Sequence, residues 1–134
     1  MSCILRAGGR EFEPAAFLAE SSFEQASMHA PGERFTAGVV TAAARGFSVT
    51  VSDAEIDDLD GQIAEAIEFL DRHEDELRRL GRYEGVEVVE IDFGIEWRDV
   101  ATQTDWFPPE LLWRAGALDI GLRISHFLSP QRES

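Results

Sequence analysis

From Val89 to Arg98 the chain changes polarity at every residue: Val89, Ile91, Phe93, Ile95 and Trp97 alternate with Glu90, Asp92, Gly94, Glu96 and Arg98. Successive side chains of a strand point to opposite faces, so this run predicts a strand with one face in a core and the other in water. Such alternation is typical of an antiparallel sheet covered by helices on one side, since strands covered on both faces are apolar at nearly every position. The inner face needs an apolar partner, and the next pattern supplies one. Ile56, Leu59, Ile63, Ile67, Leu70, Leu77 and Leu80 recur at three- and four-residue spacing, with Ala66 and His73 on the same stripe. This predicts one long amphipathic helix ended by Gly81. Ser52 and Glu55 have the spacing of a capping box, while Gly61 argues that the regular helix begins near Asp60. On the outer face Glu68–Arg72, Glu74–Arg78 and Asp75–Arg79 each place an acid four residues before an arginine, worth about 0.2–0.5 kcal/mol per pair.

The remaining elements are shorter. Cys3 to Ala7 predicts a strand closed by Gly8-Gly9, and Pro14 opens a short helix running to about Glu20. Phe47, Val49 and Val51 alternate with Ser48, Thr50 and Ser52 as another half-buried strand. Pro108-Pro109-Glu110 opens a second short helix ending at Gly116, with Phe107 and Leu112 spaced as a hydrophobic staple. Leu118, Ile120, Leu122 and Ile124 alternate along a last strand from Leu118 to Phe127. Residues 21–45 read as a long loop with a weak strand near 38–41, and residues 129–134 as a frayed tail. The expected fold is α+β: a mostly antiparallel sheet of four or five strands, with one long and two short helices packed mainly on one face. A chain of 134 residues fits one domain, residues 1–134, and at this size folding hides about two-thirds of the surface the unfolded chain exposes. The lone Cys3 excludes an internal disulfide and a multi-cysteine zinc site, so the core has to hold without either. The first residues lack a basic, then apolar, leader pattern and no apolar run is long enough to span a bilayer, which points to the cytoplasm. Arginine without any lysine or asparagine, together with abundant alanine, fits a GC-rich bacterial genome.

The formal charge of −14 opposes binding to nucleic acid or to an anionic membrane, both of which are themselves negative. It favours solubility, a basic protein partner or cations. Between Asp53 and Glu76 lie 11 of the 26 acids, on the outer side of the predicted long helix. Calcium fails on register: placing Gly61 at the sixth position of an EF-hand loop puts Ile56 at the first and Ile67 at the twelfth. Glu90, Asp92 and Glu96 share one strand face at spacing compatible with acid–base work, but nothing in the sequence supplies a cleft. His29, His73 and His126 match no metal spacing; His73 reads as a half-buried packing residue and His29 as a loop residue. Ser125 and His126 are adjacent on a strand and face opposite ways, which removes them as a nucleophile–base couple. Gly8-Gly9 lacks the remainder of a phosphate loop, and no Gly-x-Ser-x-Gly is present. No catalytic residue, cofactor or metal ligand is therefore assigned. The candidate interaction surface comprises Asp57, Asp58, Glu65, Glu68 and Asp75 on the helix, with Trp106 from the aromatic segment Asp105 to Trp113 as an anchor.

Several short strings carry a family likeness: Ile4-Leu5-Arg6 with Gly8, Phe12-Glu13-Pro14, Pro31-Gly32-Glu33, Pro109-Glu110-Leu111-Leu112 and Asp119 to Ser125. In this layout the chain resembles a family of small uncharacterised bacterial α+β proteins, a domain of unknown function. The resemblance implies the fold and no activity or site residue. The function expected is a non-enzymatic interaction or structural module, monomeric or homodimeric, of which an immunity-type inhibitor of a basic toxin is a specific version. The competing class is a small enzyme or ligand-binding domain with a pocket between the 21–45 loop and the outer sheet face.

Overall fold

The alternating runs become the sheet and the periodic run becomes the layer that covers it. The computed structural model describes residues 2–24, 26–29 and 45–128. In chain order these form β1 (Cys3–Gly9), α1 (Pro14–Leu18), β2 (Ser27–His29), β3 (Arg45–Ser52), α2 (Leu59–Arg72), α3 (Glu74–Gly81), β4 (Val88–Trp97), α4 (Pro109–Ala117) and β5 (Gly121–Leu128). The strand order is β2-β3-β1-β4-β5. β1 pairs antiparallel with β3 and β4, and β2 antiparallel with β3. Cys3, Leu5, Ala7, Phe47, Val49, Val89, Ile91, Phe93 and Ile95 form one core with Phe17, Ile63, Ala66, Phe69, Leu70, Leu77, Leu80, Leu111 and Ala115 of the helices. At one end aromatic rings do the filling: Phe17 stacks on Phe47 at 5.8 Å, and Tyr83 meets Phe17 edge-on at 5.2 Å.

The structure departs from the sequence reading in several places. The sheet is mixed, because β5 runs parallel to β4. A strand reached through a helical crossover returns in the same direction, and α4 is that crossover. The long helix is two helices broken at His73, giving four helices among the described residues. Its break has an electrostatic marking: Arg72 ends α2, while Glu74, Asp75 and Glu76 open α3, each suited to the local helix dipole. Asp58, not Ser52, caps α2 by accepting from the Gly61 amide at 3.0 Å. A side chain at position 61 would stand 2.4 Å from the Asp58 carboxylate, so the glycine leaves room for the cap. The buried face of α2 is Gln62, Ile63, Ala66, Phe69 and Leu70, with Leu59 and Ile67 at its margin. Of the three predicted helix-surface pairs, Glu68–Arg72 and Glu74–Arg78 form, whereas Arg79 reaches Glu20 and lies over the Phe17 ring.

Within the span read as a loop, Ser27–His29 forms β2; the weak strand near 38–41 and the 129–134 tail lie outside the described residues. The staple is also replaced: Phe107 packs on Phe93 at 5.3 Å, Leu111 is buried and Leu112 is half exposed. Leu118 and Ile120 enter the core before β5 begins at Gly121. Finally, the outer face of β4 is closed to water at Glu90 and Asp92, only 5% and 6% exposed, and opens towards Glu96 and Arg98.

Candidate functional site

Two polar arrangements stand out, on opposite sides of the sheet. The first is a cleft of about 480 Å3 where α2 crosses β3. Its apolar floor includes Val49, Val51 and Phe69, and its walls carry Glu24, Asp53, Glu65 and Glu68. Four carboxylates thus face one arginine, Arg72, which is already paired with Glu68 at 3.0 Å. The local fold explains the gathering. The α2 stripe turns Ala66, Phe69 and Leu70 inward, which leaves Glu65 and Glu68 on the rim. Ser52, at the end of β3, donates its hydroxyl to the Glu65 carboxylate and accepts from the Ala54 amide, fixing the corner from which Asp53 projects.

At the far end of this cleft, His73 lies between Phe69 and Phe23, with ring centroids at 4.6 and 5.2 Å. Its Nδ1 is 3.6 Å from Glu76, whose carboxylate also receives the Ser22 amide and hydroxyl. His73 thus packs as the sequence suggested, and it serves the helix break rather than a nucleophile. Ser52 has a carboxylate as its acceptor instead of an imidazole, so the cleft lacks the relay a serine nucleophile needs. No group of three or more His, Cys, Asp or Glu side chains is placed to hold a metal ion among the described residues. The cleft as it stands combines an acidic rim with an apolar floor.

The second arrangement lies on the outer face of the sheet. Arg123 of β5 donates two bonds to Glu90, at 2.8 and 2.9 Å, and this acceptor holds the guanidinium more firmly in its protonated form. Arg6 of β1 donates to Asp92 at 2.7 Å and passes Glu90 at 3.7 Å. The Ser125 hydroxyl donates to Asp92 at 2.8 Å. Every carboxylate oxygen of this quartet has a donor, so Glu90 and Asp92 are committed to joining β1, β4 and β5. Of the three acids considered for acid–base work on this strand face, Glu90 and Asp92 are thus engaged, while Glu96 lies outside the quartet and is half-buried. Further along the same face His29 meets Ser48 across β2 and β3 at 3.2 Å. A separate cleft of about 490 Å3 opens where β4 and β5 begin, with the Glu90–Arg123 pair on its wall.

Comparison with known proteins gives no match. No family model, no curated protein and no solved structure aligns with the chain.

Of the residues singled out in the sequence, Asp57, Asp58, Glu65, Glu68 and Asp75 are all exposed, but only Glu65 and Glu68 share the cleft. Asp58 is spent on the helix cap, and Asp75 sits in the first turn of α3. Trp106 is 70% exposed, as is Trp113. It precedes α4, which packs on α2 and β5, and β5 lies three strands from β3, about 14 Å across the sheet. Trp106 does not line the acidic cleft. Glu24 and Asp53 complete the cleft and were missed as members, because the first comes from a span read as loop and the second precedes the helix. The pocket expected between residues 21–45 and the sheet falls partly outside the described residues. No described helix is long and apolar enough to cross a membrane.

Proposed function

We propose that this chain is a non-enzymatic interaction module whose cleft between β3 and α2 takes a basic segment of a protein partner. The observation that carries this reading is the composition of that one cleft: Glu24, Asp53, Glu65 and Glu68 around an apolar floor, opposed by a single paired arginine. An arginine or lysine side chain of a partner fits such a site twice over, its charge at the carboxylate rim and its aliphatic stem along Val49 and Phe69. The excess of −14 over the whole molecule adds a long-range field that speeds encounter with a positive protein and repels nucleic acid. An immunity-type inhibitor that neutralises a basic toxin in the bacterial cytoplasm is the specific form of this reading.

The test compares the chain with a Glu65→Lys, Glu68→Lys variant as bait in lysate of the source cells. The proposal expects a basic protein retained by the unmodified chain at low salt, reduced at high salt and absent from the variant. Retention of the same proteins by both baits would overturn it. Both substituted side chains are exposed, so the fold should be retained and circular dichroism checks that directly.

A further inference from the structure

Asp53 stands at the corner of two hollows. One is the β3–α2 cleft; the other, of about 340 Å3, lies at the end of β5, where Asp53 and Glu55 rim Ile56, Phe127 and Leu128. The segment between β3 and α2 joins them, crossing the end of the sheet past the start of β1 and on to β4. Along it the Ala54 carbonyl accepts from the Ser2 hydroxyl, and the Ile56 carbonyl accepts from the Glu96 amide at 3.0 Å. The Glu55 carbonyl between them accepts from the buried Gln62 amide at 3.1 Å. These bonds fix the segment as a shelf. Asp53, Glu55 and Asp57 are exposed on it, while Ala54 and Ile56 are half-buried. The second hollow is the more apolar of the two, with Phe127 and Leu128 50% and 65% exposed. Among the described residues that line it there is no cation. Exposed apolar side chains gathered beside polar ones are the usual mark of a contact surface.

We infer that the two hollows form one docking surface, and that the basic segment taken by the cleft carries a large apolar residue which seats on Phe127 and Leu128. This rests on the cleft's proposed affinity for a basic protein segment and adds the second half of that partner's recognition motif. Charge selects the occupant. Asp53 and Glu55 on the rim favour a positive chain beside the apolar seat, and they repel an acidic segment or a nucleic acid. A second copy related by a twofold axis would bring its own Asp53 and Glu55 into the same seam. Continuity sets the spacing. β3 and β5 are three strand intervals apart, about 14 Å, which an extended peptide covers in about four residues. The partner's motif is therefore a basic residue and a large apolar one about four positions apart. Because the shelf is already fixed, little of this side has to be ordered on binding.

The test is fluorescence anisotropy with two labelled glycine-serine peptides, each carrying a central block of arginines. One has leucines four and five residues to either side of the block, and the other has serines there. The leucine peptide is expected to bind about tenfold tighter, as one partly buried leucine provides. That advantage should vanish in a Phe127→Ser, Leu128→Ser variant, in which the serine peptide keeps its affinity. Binding of neither peptide would overturn the reading of the cleft, and this inference with it. Binding of the serine peptide with no gain from leucine, or a gain that survives in the variant, would overturn this inference alone. So would sedimentation showing a dimer that the variant abolishes, since the seat would then belong to a second copy. Should the variant fail to fold, amide shifts of the unmodified chain decide. The leucine peptide is expected to move Phe127 and Leu128 where the serine peptide does not, and equal shifts there from both peptides would overturn the inference.

Discussion

Gln62 is fully buried on α2, and its amide nitrogen donates to the Glu55 carbonyl at 3.1 Å and to the Gly94 carbonyl at 2.7 Å. It thereby ties the helix to both the preceding loop and β4, while its own Oε1 has no hydrogen-bond partner among the described residues. Removing the side chain opens a cavity and takes a buried donor from two carbonyls, of which that of Glu55 keeps the Asp58 amide, so Gln62→Ala is expected to destabilise by about 2–4 kcal/mol in denaturant unfolding. A change below about 0.5 kcal/mol would show that these bonds do not hold the helix. Cys3 makes a second prediction. Burial, then the nearby charges of Asp92 and Glu65, push its thiol well above the ordinary value of 9.0. Because the folded pKa is raised, Cys3 contributes stability fully below pH 9.0, and that contribution is lost as pH climbs towards the folded value. Above pH 9.0 the unmodified chain should therefore lose about 1.4 kcal/mol per pH unit relative to Cys3→Ala. Parallel stability curves for the two proteins between pH 8 and pH 11 would contradict this account. The same burial predicts that a thiol reagent modifies Cys3 only on unfolding.

At the scale of elements, the β4 run shows both the reach and the limit of sequence patterning. Alternation located the strand and assigned Val89, Ile91, Phe93 and Ile95 to the core correctly, because side-chain direction in a strand has a fixed period of two. It misread the other face, since a charged residue opposite a core residue signals water only when no complementary charge covers it. Arg6 and Arg123 provide that cover from strands that are 84 and 33 residues away from Glu90 in sequence, a pairing invisible to local pattern. The parallel direction of β5 was hidden for the same reason. Breaking the quartet by Glu90→Ala removes both bonds that Arg123 donates to Glu90, and a loss of about 3 kcal/mol is expected. A loss no larger than that of an exposed pair would mean that β5 is held by its backbone alone. The break at His73 was marked in sequence by Arg72 followed by three acids, whereas the rotated face of α2 was not, because Gln62 does not read as a core residue. That rotation predicts an order of effects: Leu70→Asp unfolds the domain, Ile67→Asp costs less, and Glu68→Gln shifts stability by under about 0.5 kcal/mol. Equal melting temperatures for the two aspartate variants would place the buried face wrongly.

Across the whole molecule, acidity is partitioned rather than spread. The segment from Asp53 to Glu76 carries 11 of the 26 acids, and residues 120–132 carry none. Asp53, Glu65 and Glu68 of the acidic segment line the β3–α2 cleft, and Asp53 and Glu55 also lie beside Phe127 and Leu128 of β5. The sequence disclosed the acidic helix, but not the cleft. Glu24 and Asp53 join Glu65 and Glu68 only when β3 and the 22–24 segment fold against α2, and the candidate Trp106 is not among the lining residues. The account rests on that cleft being the place where positive charge is received. Its most direct test is titration of the isotopically labelled chain with a short arginine-rich peptide, followed residue by residue through amide chemical shifts. The account predicts shifts concentrated at Thr50–Asp53 and Glu65–His73, lost in the Glu65→Lys, Glu68→Lys variant and weakened by salt. Shifts of equal size over every acidic stretch, unchanged in the variant, would contradict it.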